Sequence, residues 1–476
     1  MTLQEPIKFD DFNGGLIDDI SVSDSLLPRN CVRKAINVIF DRPRGAISQR
    51  LGTTKLGGTV ASGTISGLHN FRSSNSSYNQ LLTSIGATIY RLNGSSWDST
   101  VVMSTAATKT RFLTYLDAVA VLNGSDTPKS WTGTGAWLTT GGNLDIANFP
   151  VTKYGTILNS RVFAAGNSSN PDTVYKSSLE AAGAISWTSG NGSFKVFPND
   201  GNGVITSLAG NGRVILIFKE RGLYRYDDNE LQRIVNIGTT SHESVVTDDN
   251  GITYFFGQGA NTVGFYRTTG GFPSKISRPI TKYIEAIAAS GYQNISGFTD
   301  GTKVYWSVGS LTIDGITYPN SWLDYTIADQ SWDVRNYQDS FRVFSQYINS
   351  SSEVTVVGGD TDGMIQTINS GYTDNGTAIS AECEFGANAI TSRGRYKVIN
   401  EVMTYATHFQ GLQFYLKADL GSYQTVGAID FYSKKHSNFP KIRGYMIYAK
   451  ITSINSGEPF QFDGYEFTNV TDEGYQ

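Results

Sequence analysis

Imidazole, thiol and carboxylate chemistry have little to work with in this sequence. Its four histidines, His69, His242, His408 and His436, lie far apart. None stands in the HExxH spacing that puts two imidazoles on one helix face, and there is no H-x-H pair. They read as structural. Asp360-Thr361-Asp362-Gly363 opens like a calcium loop, but the later oxygen ligands are absent, and a hairpin turn uses the same residues. Asp248-Asp249-Asn250-Gly251 is likewise a turn, Asn-Gly being a strong hairpin signal. Gly201-Asn202-Gly203 and Gly210-Asn211-Gly212 lack the following helix that would make a phosphate cradle. No G-x-S-x-G surrounds a serine nucleophile. Paired carboxylates for glycoside hydrolysis are defined only in three dimensions and stay open at this level. The tryptophans Trp97, Trp131, Trp137, Trp187, Trp306, Trp322 and Trp332 could be sugar platforms. Most follow a strand within a repeated unit, which reads as packing.

The elements that would position any such group are strands. The chain has 476 residues, 51 of them glycine, with 26 tyrosines and 25 phenylalanines, and Ser, Thr and Asn crowd between short apolar runs. This is all-β composition. Thirty-eight Lys and Arg stand against 42 Asp and Glu, a formal charge of −4, which argues against a general DNA- or membrane-binding surface. Cys31 and Cys383 are the only cysteines. They read as two buried thiols in a protein matured in reducing cytoplasm. The N-terminal MTLQEPIKFDDF has no apolar h-region, so no signal peptide is expected. No run approaches the roughly 20 apolar residues of a membrane helix, so no stable membrane insertion is expected.

Residues 205–226 show the unit best. Val214 to Lys219 makes a strand buried on both faces for much of its length, Glu220-Arg221-Gly222 turns, and Leu223-Tyr224-Arg225-Tyr226 returns. Similar strand–turn–strand stretches begin near Leu81, Ala118, Ser160, Ile252, Lys303 and Val354. Their irregular spacing of about 35–50 residues fits diverged blades. The expected fold is therefore all-β, a β-propeller of about seven blade-like units over 55–390 with an appended antiparallel β-sandwich or sheet at 391–467. Residues 1–54 read as an N-terminal arm and hairpin, the arm extended through Phe9–Leu16. Ser25 to Ala35 could hold a short helix, with Pro28 in its first turn. Residues 468–476 read as a flexible tail.

In order, Phe12-Asn13-Gly14-Gly15-Leu16, Leu27-Pro28, Ala35-Ile36-Asn37-Val38-Ile39-Phe40 and Gly45-Ala46-Ile47-Ser48-Gln49-Arg50-Leu51-Gly52 carry a resemblance. It continues through Leu122-Asn123-Gly124, Pro128-Lys129-Ser130-Trp131, Ser160 to Asn167, Ile215 to Tyr224 and Lys275-Ile276-Ser277-Arg278-Pro279-Ile280. Together they resemble the tail nozzle (tail tubular, or tail hub) proteins of short-tailed, podovirus-type bacteriophages. The resemblance implies a structural virion protein, not an enzyme, with no cofactor and no metal. It implies a hexameric ring below the adaptor ring under the portal, a conduit for double-stranded DNA during ejection. Implied partners are tail fibre or spike proteins and a tail needle or plug, with assembly in the host cytoplasm. Phe9, Phe12, Asn13, Leu16, Leu27, Arg29 and Arg50 are the expected interface residues. The alternative expectation is a carbohydrate-binding or glycan-degrading propeller in receptor recognition, with a concave pocket lined by acids and tryptophans.

Overall fold

The computed structural model describes residues 6–18, 27–41, 45–74, 78–188, 192–349, 351–386, 396–407, 411–429, 435–453 and 459–473. Its central body is a seven-bladed β-propeller. The blades span 65–102, 111–131, 154–195, 205–235, 237–275, 296–336 and 341–368, each an antiparallel sheet of neighbouring strands. The innermost strands pack side by side around an axis, and that of blade 7, Phe341–Ile348, lies against that of blade 1, Ile65–Arg72, closing the ring. The short strand Thr53–Lys55, which precedes blade 1 in sequence, pairs with Ile365–Ile368 and becomes part of blade 7.

Period-two alternation builds this ring. In blade 4, Ile215 and Ile217 face blade 3 while Leu216 and Phe218 face blade 5. In blade 2, Ala118, Ala120 and Leu122 face blade 3, and Val119 and Val121 face blade 1. A central strand with no polar face is what a sheet sandwiched between two others requires. The tryptophans serve the same packing. Trp306, Trp322 and Trp332 are fully buried, and Trp137 stacks on buried Trp131 at 5.7 Å.

Both chain ends build the second body, a β-sandwich. One sheet runs in the order Val38–Asp41, Ala46–Gln49, Gln461–Glu473, Tyr396–Thr407, Lys435–Asn438, with Ile7–Phe9 also paired to Gln461–Glu473. The other runs Gly15–Leu16, Cys31–Ile36, Glu382–Phe385, Ile447–Ser453, Leu412–Ala418, Gln424–Ile429. Phe385 and Phe414 of this sheet meet Tyr465 of the first at 5.3 and 5.2 Å, so the sheets pack face to face.

Three expectations are corrected. Residues 1–54 are not a separate arm: Ile7–Phe9 pairs with Tyr465–Phe467 because the C-terminal strand offers it an open edge. The short helix is absent over the described part of its span. Cys31–Ile36 is instead a strand between Gly15–Leu16 and Glu382–Phe385, where ladder bonds on both edges outweigh local helix propensity. The polar tail is strand as far as Glu473, paired with Tyr396 to Ile399; residues 474–476 lie outside the described residues.

Candidate functional site

Of the polar sites inside this apolar frame, one lies at the junction of the two bodies and one on the propeller axis. At the junction the chain passes from sandwich to propeller at 50–53 and returns at 374–380. Arg50, fully buried, holds both crossings. Its Nη1 and Nη2 donate to Asp374 Oδ1 and Oδ2 at 2.8 and 2.6 Å. Its Nε donates to Asn37 Oδ1 at 2.7 Å, and the remaining hydrogens go to the carbonyls of Leu51 and Asn336. All five guanidinium donors are thus used, and the guanidinium carbon lies 3.9 Å from the Tyr337 ring centroid. Asn37, at φ 59°, hands the chain from one sheet of the sandwich to the other, and its N–H donates to Val334 O of blade 6. Gly52 lets the two crossings touch: a Cβ there would sit 2.0 Å from Thr373 O.

On the axis a cavity of about 230 Å³ is lined by His69 of blade 1, Arg111 of blade 2, His242 and Glu243 of blade 5, and Ser296 of blade 6. Arg111 Nη2 pairs with Glu243 Oε1 at 2.6 Å, and its guanidinium carbon lies 4.8 Å from the Tyr154 ring centroid. Lys109, next to Thr110 of the lining, donates to Arg342 O of blade 7 at 3.0 Å. Burial alone would raise the Glu243 carboxyl, but Arg111 and Lys109 outweigh it and hold the group at about 2. Burial pushes His69 down to about 4. Burial, with Arg111 adding, pushes His242 to about 3. Both rings are therefore neutral at pH 7. Each shares a hydrogen bond with a hydroxyl, His69 Nε2 with Thr114 Oγ1 and His242 Nδ1 with Ser207 Oγ, both at 2.7 Å. The Ser207–His242 contact has the length of a nucleophile–base pair, but Ser207 is fully buried in the wall, so the bond orients the ring.

Of the expected interface residues, Phe9, Phe12, Leu16 and Arg50 are interior to this chain, a correction. The three apolar side chains fill the sandwich core, and Arg50 spends its donors within the fold. Asn13 and Leu27 are half-buried, and Arg29 is exposed. Asp360 Oδ1 accepts the N–H groups of Asp362 and Met364, and Asp248 Oδ1 those of Asn250 and Ile252, so both acidic stretches close hairpin turns. Among the described residues no group of three or more His, Cys, Asp or Glu could hold a metal, and no helix is long and apolar enough to cross a membrane. His408 lies outside the described residues. The axial cluster escaped sequence reading because ring closure joins residues from distant blades. The one local signal is a charged residue, Arg111, beginning an innermost strand.

No protein-family model matches the chain, and no curated protein matches it by sequence. Two solved structures are similar at low level. The extracellular domain of the one-component-system protein BT4673 from B. thetaiotaomicron aligns at 9% identity and TM-score 0.41, over 89% of this chain and 59% of that one. The N-terminal domain of Nup159 aligns at 8% identity and TM-score 0.39, over 67% of this chain and 95% of that one. This chain thus spans little more than half the length of the first. Similarity at this level carries no functional assignment.

Proposed function

We propose that this chain is a structural subunit of a phage tail, forming a hexameric nozzle ring below the head-to-tail adaptor through which DNA passes during ejection. The ordered resemblance along residues 9–280 brings the reading to this chain, and the junction is the observation that carries it. Both crossings between sandwich and propeller are held by one buried ion pair, Arg50–Asp374, with every guanidinium donor used. A subunit made stiff in this way suits a ring that must keep its shape while a charged polymer slides through it. The formal charge of −4 fits a conduit that does not retain DNA. The propeller axis itself is not that conduit, since the cavity there is far smaller than a duplex. The glycan reading calls for a concave pocket with several acids and tryptophans. The axial cavity has one carboxylate, Glu243, already paired with Arg111, and no tryptophan.

The test is the mass of the full chain in solution, alone and mixed with a portal–adaptor assembly. A six-fold ring, or a monomer that becomes six-fold on the adaptor, is the expected result. A monomer that ignores the adaptor and binds polysaccharide would overturn the reading.

A further inference from the structure

The axial cavity has an electrostatic imbalance that the fold does not need. Arg111 offers one nitrogen to Glu243, while its buried Nε finds no acceptor. The only hydrogen-bond acceptor seen for the Lys109 ammonium among the described residues is a neutral carbonyl, Arg342 O. Lys109 and Arg111 together set two positive charges against the single carboxylate of Glu243, and the two histidines facing the space are neutral. A buried donor without an acceptor is costly unless something fills the site. The space, about 230 Å³, lies below the roughly 300 Å³ at which pockets for drug-sized molecules begin. It suits a group of a few heavy atoms rather than a sugar chain.

We infer that this cavity is a binding site for a small oxyanion of the phosphate or carboxylate class, held by the Arg111 donor that Glu243 leaves free and attracted by the charge of Lys109, which adjoins Thr110 of the lining without lining the space itself. The anion balances the excess cation, and a charge-assisted bond to the guanidinium supplies its affinity. Glu243 then acts as a competitor. It occupies part of Arg111 and repels the incoming charge, so its removal has the opposite effect to removal of Lys109. This sign distinguishes a built anion site from a cavity that merely loosens when mutated.

The experiment titrates the full chain with sodium phosphate and separately with sodium acetate, by calorimetry and by thermal shift, against sodium chloride at matched ionic strength. Saturable binding of either anion, with a melting temperature above the chloride control, is expected, and the tighter anion names the class. Lys109→Gln should weaken binding about fivefold, the effect of losing a nearby positive charge. Glu243→Gln should tighten it. Absence of saturable binding of both anions to the unaltered chain would overturn the site. So would a shift in the same direction for the two variants. The titration of the unaltered chain decides the matter even if a variant fails to fold.

Discussion

Blades 1–4 and the sandwich are both β-structure, yet they are held together in different ways. Between blades 1 and 2, 2 and 3, and 3 and 4, the apolar side chains form separate clusters confined to one interface each, Phe71 with Trp131, Leu122 with Val162, Phe163 with Ile217. The sandwich, the connector with the short helix Thr281–Glu285, and blades 5 and 6 share one continuous core from Phe9 and Phe414 to Trp306 and Trp332. A blade is assembled from neighbours in sequence. The sandwich is assembled from the two ends of the chain, Ala35 against Cys383 and Phe9 against Tyr465. The modular half spreads its stability over many small interfaces, whereas the fused half concentrates it, and the junction passes it to the ring.

The sharpest way to break this contrast is at Arg50. Arg50→Met keeps the volume but leaves Asp374 buried without its partner, a loss of about 3–5 kcal/mol. Because the sandwich also shares its apolar core with blades 5 and 6, denaturant unfolding followed by sandwich and propeller probes should remain one transition, at a lower midpoint. A single transition with an unchanged midpoint would show that the apolar contact alone couples them. Next in size are core truncations. Phe414→Ala in the fused core should cost about 3–5 kcal/mol, and Leu82→Ala between blades 1 and 2 about 2–3, because the smaller cluster can close over the gap. Chemical denaturation of the two variants side by side checks the order, and an equal cost would remove the distinction between the halves.

How much of this was legible in the sequence divides along the same line. The blade hairpins were readable because their signals are local. Ile215 to Lys219 alternates, Gly222 turns, and the partner strand begins at once. The junction was not readable. Arg50 and Asp374 are separated by almost the whole propeller, and nothing near Arg50 announces a carboxylate. Cys31–Ile36 misled for the same reason, since its strand state is imposed by Glu382–Phe385. Phe9, Phe12 and Leu16 stood out as an apolar arm and suggested a partner; the partner is the chain's own C-terminal strand and core. The axial site differs: in the sequence His69 and His242 are isolated histidines and nothing marks Glu243, and only ring closure brings them to one cavity with Arg111.

That cavity, where Arg111 of the modular half meets His242 and Glu243 of blade 5, adds a sensitivity to acid at the boundary of the two halves. His69 and His242 have values depressed from 6.5 to about 4 and about 3, so the fold favours their neutral forms. Their contribution is present above pH 6.5 and is lost as pH falls toward those values. Glu243, lowered from 4.5 to about 2, adds in the same direction below pH 4.5. Asp324 of blade 6, raised by burial to about 6, gains from acid over the same range and offsets part of this, so the histidine contribution is read from the difference between variants. In His242→Asn, whose amide can still reach Ser207, the slope should be shallower by up to one proton. An unchanged slope would mean that His242 does not enter the fold neutral.

The smallest expected effect concerns ring closure. Thr53–Lys55 is only three residues long, yet it is the strand that joins the start of the propeller to its end. Were closure the weak point of the modular half, any loss there would open the ring. The structure argues otherwise. Phe341–Ile348 packs along Ile65–Arg72 on the inner side, Asn79 Nδ2 donates to Ile348 O at 2.6 Å, and Arg50 anchors the chain three residues before Thr53. Thr53 Oγ1 donates to Gln366 Oε1 at 2.7 Å, and Gln366 Nε2 donates to Asp339 at 2.6 Å. Thr53→Val removes the first bond and leaves Gln366 its second, so the loss should be about 1 kcal/mol. Hydrogen exchange in Ile365–Ile368 should stay close to that of the unaltered chain. Rapid exchange across blades 7 and 1 in this variant would mean that the short strand, and not the inner packing, closes the ring. The two halves would then differ not only in how stability is shared but in whether one hydrogen bond can undo it.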